Sequence, residues 1–305
     1  MIVLAIAACL GGTAPTNAQT SDLKSAAPQM PTVNLGLTSF YDGIAGPGWM
    51  VEEYGQGAHE TKTIAADGST TATAPHINSG SWITHVAYIS KHRVAGAWVG
   101  VEFLVPFAYV DAGVAGQRGG IGDMTLGPLL LQWPEQKLFG MRFQQRILAD
   151  FEVPTGVYTA KKGAVNIGSH AWTVHPYYAF TLLPHNKWET SWRISYLWNA
   201  TDHAPVATSN INSTQAGQAL HLNATLSYEV HKGVFVGANG YMFHQLTDSK
   251  VNGLSQPGTE VLGALGPGIM VRHKQWFYYA NAYREFSAVD TTEGSKFVLR
   301  IERVF

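Results

Sequence analysis

The side chains best able to do chemistry in this chain are ionisable groups that alternate with apolar residues. A period of two places residues i and i+2 on one face of a strand, so these groups share a polar face. Both charge signs occur on neighbouring segments. We expect either a charge network that fixes the shape of the protein or a polar constriction that selects permeants. The ten residues are Glu102, Asp123, Arg142, Arg146, Asp150, Glu152, Arg193, Glu229, Arg300 and Glu302.

A second set on the same phase is uncharged or aromatic and consists of His175, Tyr177, His221, Asn239 and Tyr241. Ser195 and His221 fall on adjacent predicted strands with the same facing, as a hydrolase nucleophile and base would. Inward Ser and His residues are also ordinary polar groups of a wet interior. We therefore assign no catalytic residue, and a hydrolase remains an alternative.

Motifs for metals and cofactors are weak. Gly119–Gly122 is glycine-rich, but a strand follows it, and phosphate binding would need a helix N-terminus. The 12 histidines are scattered without close ligand spacing. Cys9 is the single cysteine. We expect no cofactor and no metal.

The elements that carry these residues are long alternating strands. In 217–230 the apolar residues Leu220, Leu222 and Leu226 alternate with His221 and Asn223. The same pattern predicts twelve strands, over 48–59, 81–90, 94–110, 120–133, 138–153, 169–183, 187–200, 218–230, 234–247, 259–272, 275–288 and 296–305.

The connections alternate between tight turns and longer loops. The turns are predicted at 91–93, 134–136, 184–186, 231–233 and 273–275. The loops are predicted at 60–80, 111–119, 154–168, 201–217, 248–258 and 289–295. An even number of strands of about ten residues, with short turns at one end, is typical of an outer-membrane barrel. Sandwich strands are shorter, and lipid cannot satisfy an open sheet edge. The predicted fold is all-β, a transmembrane antiparallel up-and-down barrel of about 12 strands.

Aromatic residues support a membrane location. Trp133, Trp188 and Trp276 lie beside predicted turns, and Trp82, Trp172 and Trp198 lie near predicted loops, as two interfacial girdles require. The last strand puts Phe297, Leu299, Ile301 and Phe305 on one apolar face. We expect these four to be the assembly signal for the barrel-insertion machinery, and Arg303 on the same face to reach the headgroup layer.

The N-terminal region divides into two predicted parts before a barrel at 48–305. Residues 1–18 resemble a signal peptide with a cleavage site after Ala18 and a start that lies upstream, although Cys9 could instead be lipidated. Residues 19–47 form an N-terminal segment, and the stretch from Pro31 to Gly48 is too apolar for a free tail because it includes Val33, Leu35 and Phe40. This segment is either a lumen plug packing on Tyr177, Tyr241 or Phe243, an extra strand, or a periplasmic strap.

Several ordered motifs resemble one family. They include His85–Ser90, Gly120–Asp123 followed by Pro128–Trp133, Val153–Tyr158, Asn166–Gly168, Pro176–Thr181, Tyr196–Asn199 and Gly240–Tyr241 followed by Gln245–Asp248. The family is the outer-membrane proteins of the putative MetA-pathway of phenol degradation, and the resemblance covers most of 80–305. It implies an outer-membrane barrel linked to the degradation of aromatic compounds. It supplies no catalytic residues and no ligand site.

The expected function is passage or binding of small hydrophobic or aromatic compounds at the outer membrane of a Gram-negative bacterium, without enzymatic activity. The alternatives are a barrel hydrolase acting on lipids or esters and a closed structural or adhesive barrel. Expected partners are outer-membrane lipid, the insertion machinery and a small permeant. A net charge of −1 with 13% charged residues gives no reason to expect nucleic acid.

Overall fold

The structure, a computed structural model, describes residues 26–28, 30–31, 34–185, 187–206 and 210–305. The predicted signal peptide and Cys9 lie outside the described residues. Twelve long strands form the main sheet. They are β1 (Gly48–Ile64), β2 (Thr70–Val94), β3 (Ala97–Ala112), β4 (Met124–Gln132), β5 (Met141–Val153), β6 (Thr173–His185), β7 (Trp188–Asn199), β8 (Ala219–His231), β9 (Val234–Gln245), β10 (Val261–His273), β11 (Trp276–Val289) and β12 (Thr292–Val304).

The sheet is closed by pairing between its first and last strands. β1 pairs antiparallel with β12, with Glu52 opposite Glu302 and Ala58 opposite Lys296. Each other strand pairs antiparallel with its neighbours in sequence. The predicted twelve-stranded antiparallel barrel is therefore confirmed.

The longest connections all fall at one end of the barrel. At one end the connections are 95–96, 133–140, 232–233 and 274–275, and the chain enters at Gly48 and ends at Phe305. In outer-membrane barrels this is the periplasmic end. The opposite, outer end carries 113–123, 154–172, 200–218 and 246–260.

Two predicted loops are in fact hairpins. Instead of a loop over 60–80, β1 continues to Ile64 and β2 begins at Thr70, so only 65–69 connect them. The run of Thr, Ala and Ser in this part of the chain hides the strand because it lacks large apolar residues. Likewise β11 and β12 are joined by 290–291, not by a loop over 289–295. The turn predicted at 91–93 lies at 95–96, where both residues have positive φ.

Smaller elements decorate the barrel. Gln117–Ile121 pairs with β3 and Gln136–Leu138 pairs with the start of β5. Thr214–Gln215, Ser249–Val251 and Leu254–Gln256 form a separate small sheet at the outer end. Among the described residues, no helix is long and apolar enough to cross a membrane.

The strands separate an apolar exterior from a polar interior. In β7, Trp192, Ile194 and Trp198 are exposed, whereas Arg193 and Ser195 are buried inside. The same alternation exposes Phe297, Leu299 and Ile301 on β12. Phe305 is exposed and lies against the Arg303 guanidinium group, 4.3 Å from ring centroid to Cζ.

Aromatic side chains mark both rims of the exterior. Trp188 packs edge-on against Tyr228, and Trp276 stacks on Tyr278, beside short turns. Trp172 and Trp198 are exposed near the outer end. Arg284 faces outward and donates to the hydroxyl groups of Ser295 and Thr61 near the outer rim.

The outward facing of β7 can be tested with a charge. We expect Ile194→Arg to reduce the free energy of unfolding by about 2–4 kcal/mol, because Ile194 lies near mid-strand on the lipid side. Reversible urea unfolding in lipid vesicles, followed by tryptophan fluorescence, measures the change. Val114→Arg is the control because Val114 is fully exposed in an outer connection. Equal costs for the two variants would contradict the assigned facing.

The exposed C-terminal residue yields a prediction about assembly. We expect deletion of Phe305 to reduce the heat-modifiable, folded barrel in the outer membrane at native expression levels. The purified variant should still fold in detergent, because the backbone N–H of Phe305 contributes a single ladder hydrogen bond, to Trp49. Unchanged folded yield in cells would remove Phe305 from the assembly signal.

Candidate functional site

The interior of the barrel holds the chain that precedes β1. We call residues 34–47 the inner segment. Leu35 and Leu37 pack with Tyr241, Phe243 and other residues of the barrel wall. Phe40 packs with Phe235, Met270 and Tyr279. Tyr177 instead lies under Arg193, with 3.9 Å between the ring centroid and Cζ.

The preceding residues reach the outer end. The backbone N–H of Met30 donates to Glu260 Oε1 (2.9 Å), and the Ser249 hydroxyl donates to the Pro28 carbonyl (3.3 Å). Glu260 lies in the connection before β10, outside the membrane-spanning strands. Burial raises the pKa of Glu260 to about 8, although the Met30 N–H opposes the rise. The chain thus extends along the height of the lumen from Gly48 at the periplasmic end.

Asp42 makes the strongest contacts of the inner segment. Its Oδ2 accepts from Arg193 Nε (2.8 Å), and its Oδ1 accepts from Arg193 Nη2 (2.5 Å) and Arg146 Nη2 (3.2 Å). Arg146 also donates to the Asp42 carbonyl oxygen. All three side chains are buried. One carboxylate therefore binds two guanidinium groups, on β5 and β7, in the charge-assisted geometry that favours Arg.

Close backbone approach fixes the next residue. Gly43 N donates to Thr181 Oγ1 (2.9 Å), and Gln132 Nε2 donates to the Gly43 carbonyl (3.1 Å). A Cβ atom at position 43 would lie 2.4 Å from the backbone nitrogen of Thr181 and 2.5 Å from the carbonyl carbon of Phe180. Only glycine allows this contact with β6.

The middle of the inner segment is held by amides and hydroxyls. Asn223 Nδ2 donates to the Asn34 carbonyl (2.6 Å), and Asn223 Oδ1 accepts from Gly36 N (3.0 Å). The Tyr283 hydroxyl donates to the Gly36 carbonyl (2.9 Å), and Lys296 Nζ donates to the Leu35 carbonyl. Barrel side chains thus replace the secondary-structure hydrogen bonds that this irregular backbone lacks.

A second buried charge cluster spans β1, β2, β3 and β12. His85 Nδ1 lies 2.5 Å from Glu52 Oε2, and His85 Nε2 lies 3.5 Å from Glu102 Oε2. Arg300 Nη1 lies 3.6 Å from Glu52 Oε1, and the Arg300 guanidinium covers the Tyr279 ring at 3.5 Å. A carboxylate, an imidazole and a guanidinium therefore meet where the barrel closes.

The structure brings together only part of the predicted charge set. Six of the ten residues are buried in the lumen, namely Glu102, Arg146, Asp150, Glu152, Arg193 and Arg300. Glu302 accepts from the Tyr279 hydroxyl (2.7 Å). Asp123, Arg142 and Glu229 lie at strand ends, away from the six charged residues that are buried in the lumen.

Each of these three binds a turn or loop. Asp123 accepts from the backbone N–H groups of Gly156 (2.8 Å) and Ser169 (2.7 Å). Exposed Arg142 pairs with Glu135 (2.7 Å), and Glu229 accepts from Gly233 N. Alternation in the sequence shows whether a side chain faces inward, but not how far along the barrel axis it lies. It could therefore not distinguish these three residues from those buried in the lumen.

The predicted uncharged set lies in the lumen. The Nε2 atoms of His175 and His221 are 2.8 Å apart, so one donates to the other. Asn239 accepts from the Thr225 hydroxyl (2.8 Å), and the Tyr241 hydroxyl donates to Glu285. The Ser195 hydroxyl has no hydrogen-bond partner among the described residues. The serine and histidine considered for a hydrolase are therefore neighbours without a hydrogen bond.

Sequence reasoning missed Asp42, Glu52 and His85. Glu52 and His85 lie on strands in which inward and outward residues alternate. In β2, however, the alternation of apolar and polar residues is unclear because small residues dominate its outer half, so the inward side could not be assigned. Asp42 lies in a segment with no period. Within the described residues, no group of three or more His, Cys, Asp or Glu side chains could hold a metal ion.

Comparison with known proteins places the chain in a family. Residues 62–301 match the family model described as Putative MetA-pathway of phenol degradation. The chain belongs to this family. A search of curated proteins found no match.

Several solved structures match this chain, and two of them show the shared fold. The COG4313 outer membrane channel from Pseudomonas putida F1 is 16% identical, with 87% of this chain and 98% of that chain covered and a TM-score of 0.76. The transport unit of the autotransporter AIDA-I from Escherichia coli is 9% identical, with 95% and 98% covered and a TM-score of 0.52. Family and fold together identify an outer-membrane β-barrel.

The contacts of Asp42 can be tested directly. We expect Asp42→Asn to cost about 3–5 kcal/mol locally, because it leaves two buried guanidinium groups without a carboxylate. Faster hydrogen–deuterium exchange over 34–47 in the folded barrel measures the loss. Glu135→Gln is the control, because its exposed pair with Arg142 contributes less than about 1 kcal/mol. Unchanged exchange in Asp42→Asn would show that other contacts hold the inner segment.

Proposed function

We propose that this protein is a gated outer-membrane conduit for small molecules and that the inner segment is its gate. The observation that carries the proposal is the bridge from Asp42 to Arg146 and Arg193. It fixes an irregular segment across the lumen by side-chain contacts, without strand pairing to the barrel. Such contacts can be released without breaking the barrel, because each strand keeps both of its neighbours.

The lumen chemistry supports passage of hydrophobic or aromatic molecules. Five buried tyrosines face inward, namely Tyr54, Tyr177, Tyr241, Tyr279 and Tyr283. Tyrosine offers an apolar ring together with a hydroxyl that binds polar groups. The name of the family points the same way, because it refers to phenol degradation. A path lined with aromatic and polar groups suits substrate-specific passage better than a wide general pore.

Hydrolase activity has less support. A serine nucleophile needs a hydrogen-bonded base, and His221 is bonded to His175 instead. A closed structural barrel would keep the same inner segment permanently in place. A measurement of conductance, and not the geometry, therefore distinguishes a closed structural barrel from a gated conduit. The insertion machinery and the surrounding lipid remain the proposed partners for assembly.

The gate is tested by removing it. We expect deletion of 35–45 to raise single-channel conductance in planar bilayers several-fold, because the deleted residues occupy the lumen. Asp42→Asn should open more often than wild type without a change in barrel folding, checked by heat-modifiable migration.

Glu135→Gln is the matched control and should conduct like wild type. A deletion variant that folds and conducts like wild type would refute the gate.

A further inference from the structure

Carboxylates outnumber fixed cations inside the barrel. Eight carboxyl side chains of the barrel strands are buried, namely Glu52, Glu60, Glu102, Asp150, Glu152, Glu189, Glu285 and Glu293. The buried cationic side chains of the strands are Arg146, Arg193, Lys296 and Arg300. In addition, the buried His85 imidazole lies between Glu52 and Glu102, and half-exposed Lys62 pairs with Glu293 (2.9 Å). In a conducting lumen, where water enters and the carboxyl groups ionise, this excess gives a negative potential.

The buried cations are already engaged. Arg146 and Arg193 bind Asp42, Arg300 approaches Glu52, and Lys296 donates to the inner segment. Asp150 has no hydrogen-bond or ion-pair partner among the described residues, and its Oδ1 is fully buried. The Oε2 atom of Glu102 lies at ion-pair distance from His85 Nε2 (3.5 Å) and accepts no hydrogen bond.

Glu102 and Asp150 converge on one point of the wall. Gly127 on β4 lies between them and is the register partner of Glu102. A Cβ atom at position 127 would lie 2.6 Å from Glu102 Cγ and 2.8 Å from Asp150 Oδ1. The absence of a side chain at Gly127 therefore allows the two carboxyl groups to approach each other.

Neutral polar groups continue the same wall. Tyr177, Ser195 and His221 lie on β6, β7 and β8, where Tyr177 is opposite Ser195 and Ser195 is opposite His221. Each has a buried polar atom without a partner among the described residues, the two hydroxyl oxygens and His221 Nδ1. Buried polar atoms of this kind call for a ligand or water in a working protein.

We propose that Glu102 and Asp150 form a binding site for the ammonium group of a small organic amine, and that the lumen favours cationic over anionic permeants. An ammonium group has three N–H donors and no acceptor. The carboxylates of Glu102 and Asp150 and one hydroxyl group, of Tyr177 or Ser195, would accept from these three donors. Aromatic carboxylates meet repulsion at the same place. This inference rests on the proposed conduit and specifies what it carries.

Binding is tested with three ligands of one shape and different charge. Benzylammonium, benzyl alcohol and benzoate are titrated by calorimetry into the purified, full-length barrel. We expect benzylammonium to bind at least about tenfold more tightly than benzyl alcohol, and benzoate to bind most weakly. Glu102→Gln and Asp150→Asn should each weaken benzylammonium binding by about tenfold and leave benzyl alcohol unchanged.

Glu53→Gln is the matched control, because Glu53 binds Trp82 and Thr84 on the outer side of the wall. Folding of each variant is checked by heat-modifiable migration. Equal binding of the three ligands, or no effect of Glu102→Gln and Asp150→Asn in folded barrels, would overturn the site.

Uptake into proteoliposomes separates this inference from the conduit itself. We expect the rates to rank benzylammonium, benzyl alcohol, benzoate in wild type and in Asp42→Asn. Uptake of all three at equal rates would refute the charge preference and leave the conduit standing. If none crosses in either protein, the conduit fails, and the calorimetric result alone decides whether the amine site exists.

Discussion

The constraint on which this structure depends is that lipid offers no partner for a backbone N–H or C=O group. The pairing of β1 with β12 removes the open edges of the sheet, and the other features follow. A closed sheet has one lipid face and one inner face, so every strand alternates. Ile194 and Arg193, neighbours in sequence, therefore occupy hydrocarbon and lumen. The same closure fixes the neighbours across the seam, where Glu52, His85 and Arg300 meet.

Closure also creates an interior that side chains alone do not fill. In this protein the chain before β1 occupies that interior. The polar side chains of the barrel wall hold it there by hydrogen bonds. An irregular backbone has unpaired N–H and C=O groups, and here they are met by Asn223, Thr181, Gln132, Tyr283 and Lys296. Asp42 adds a carboxylate that both neighbouring arginines bind. The inner face is thus a hydrogen-bonding surface that holds a segment without making it a strand.

Much of the fold can be predicted from the sequence because alternation and closure are strong, local signals. The number of strands, their facing and the short-turn end follow from the period of two and from turn residues. The outer halves of β1 and β2 do not, because Thr, Ala and Ser pack no core there and resemble a loop. Asp123 shows a second limit, since a polar residue of the inner phase can cap a connection at the strand end.

The candidate site is less predictable because its decisive contacts join distant parts of the chain. Arg146 and Arg193 can be placed in the lumen from their phase, but nothing local connects them to Asp42. The position of Glu102 near Asp150 depends on Gly127 and on a register shift in β4 between Leu126 and Leu129. A glycine in a strand signals a close approach, yet it does not name the groups that approach.

Two charge arrangements on one wall give the proposed gate and the proposed amine site distinct roles. On β5, Arg146 and Asp150 share the inner face four residues apart, or roughly 13 Å along the strand. Asp42 binds the arginine end, and no described residue forms an ion pair or hydrogen bond with Asp150. Release of Asp42 would therefore expose cations nearer the periplasm and leave carboxylates nearer the outside. A cationic permeant entering from outside would meet the carboxylates first and the arginines last. Its hold on the wall would thus weaken along the path toward the periplasm, and conduction requires such weak binding so that a permeant can leave.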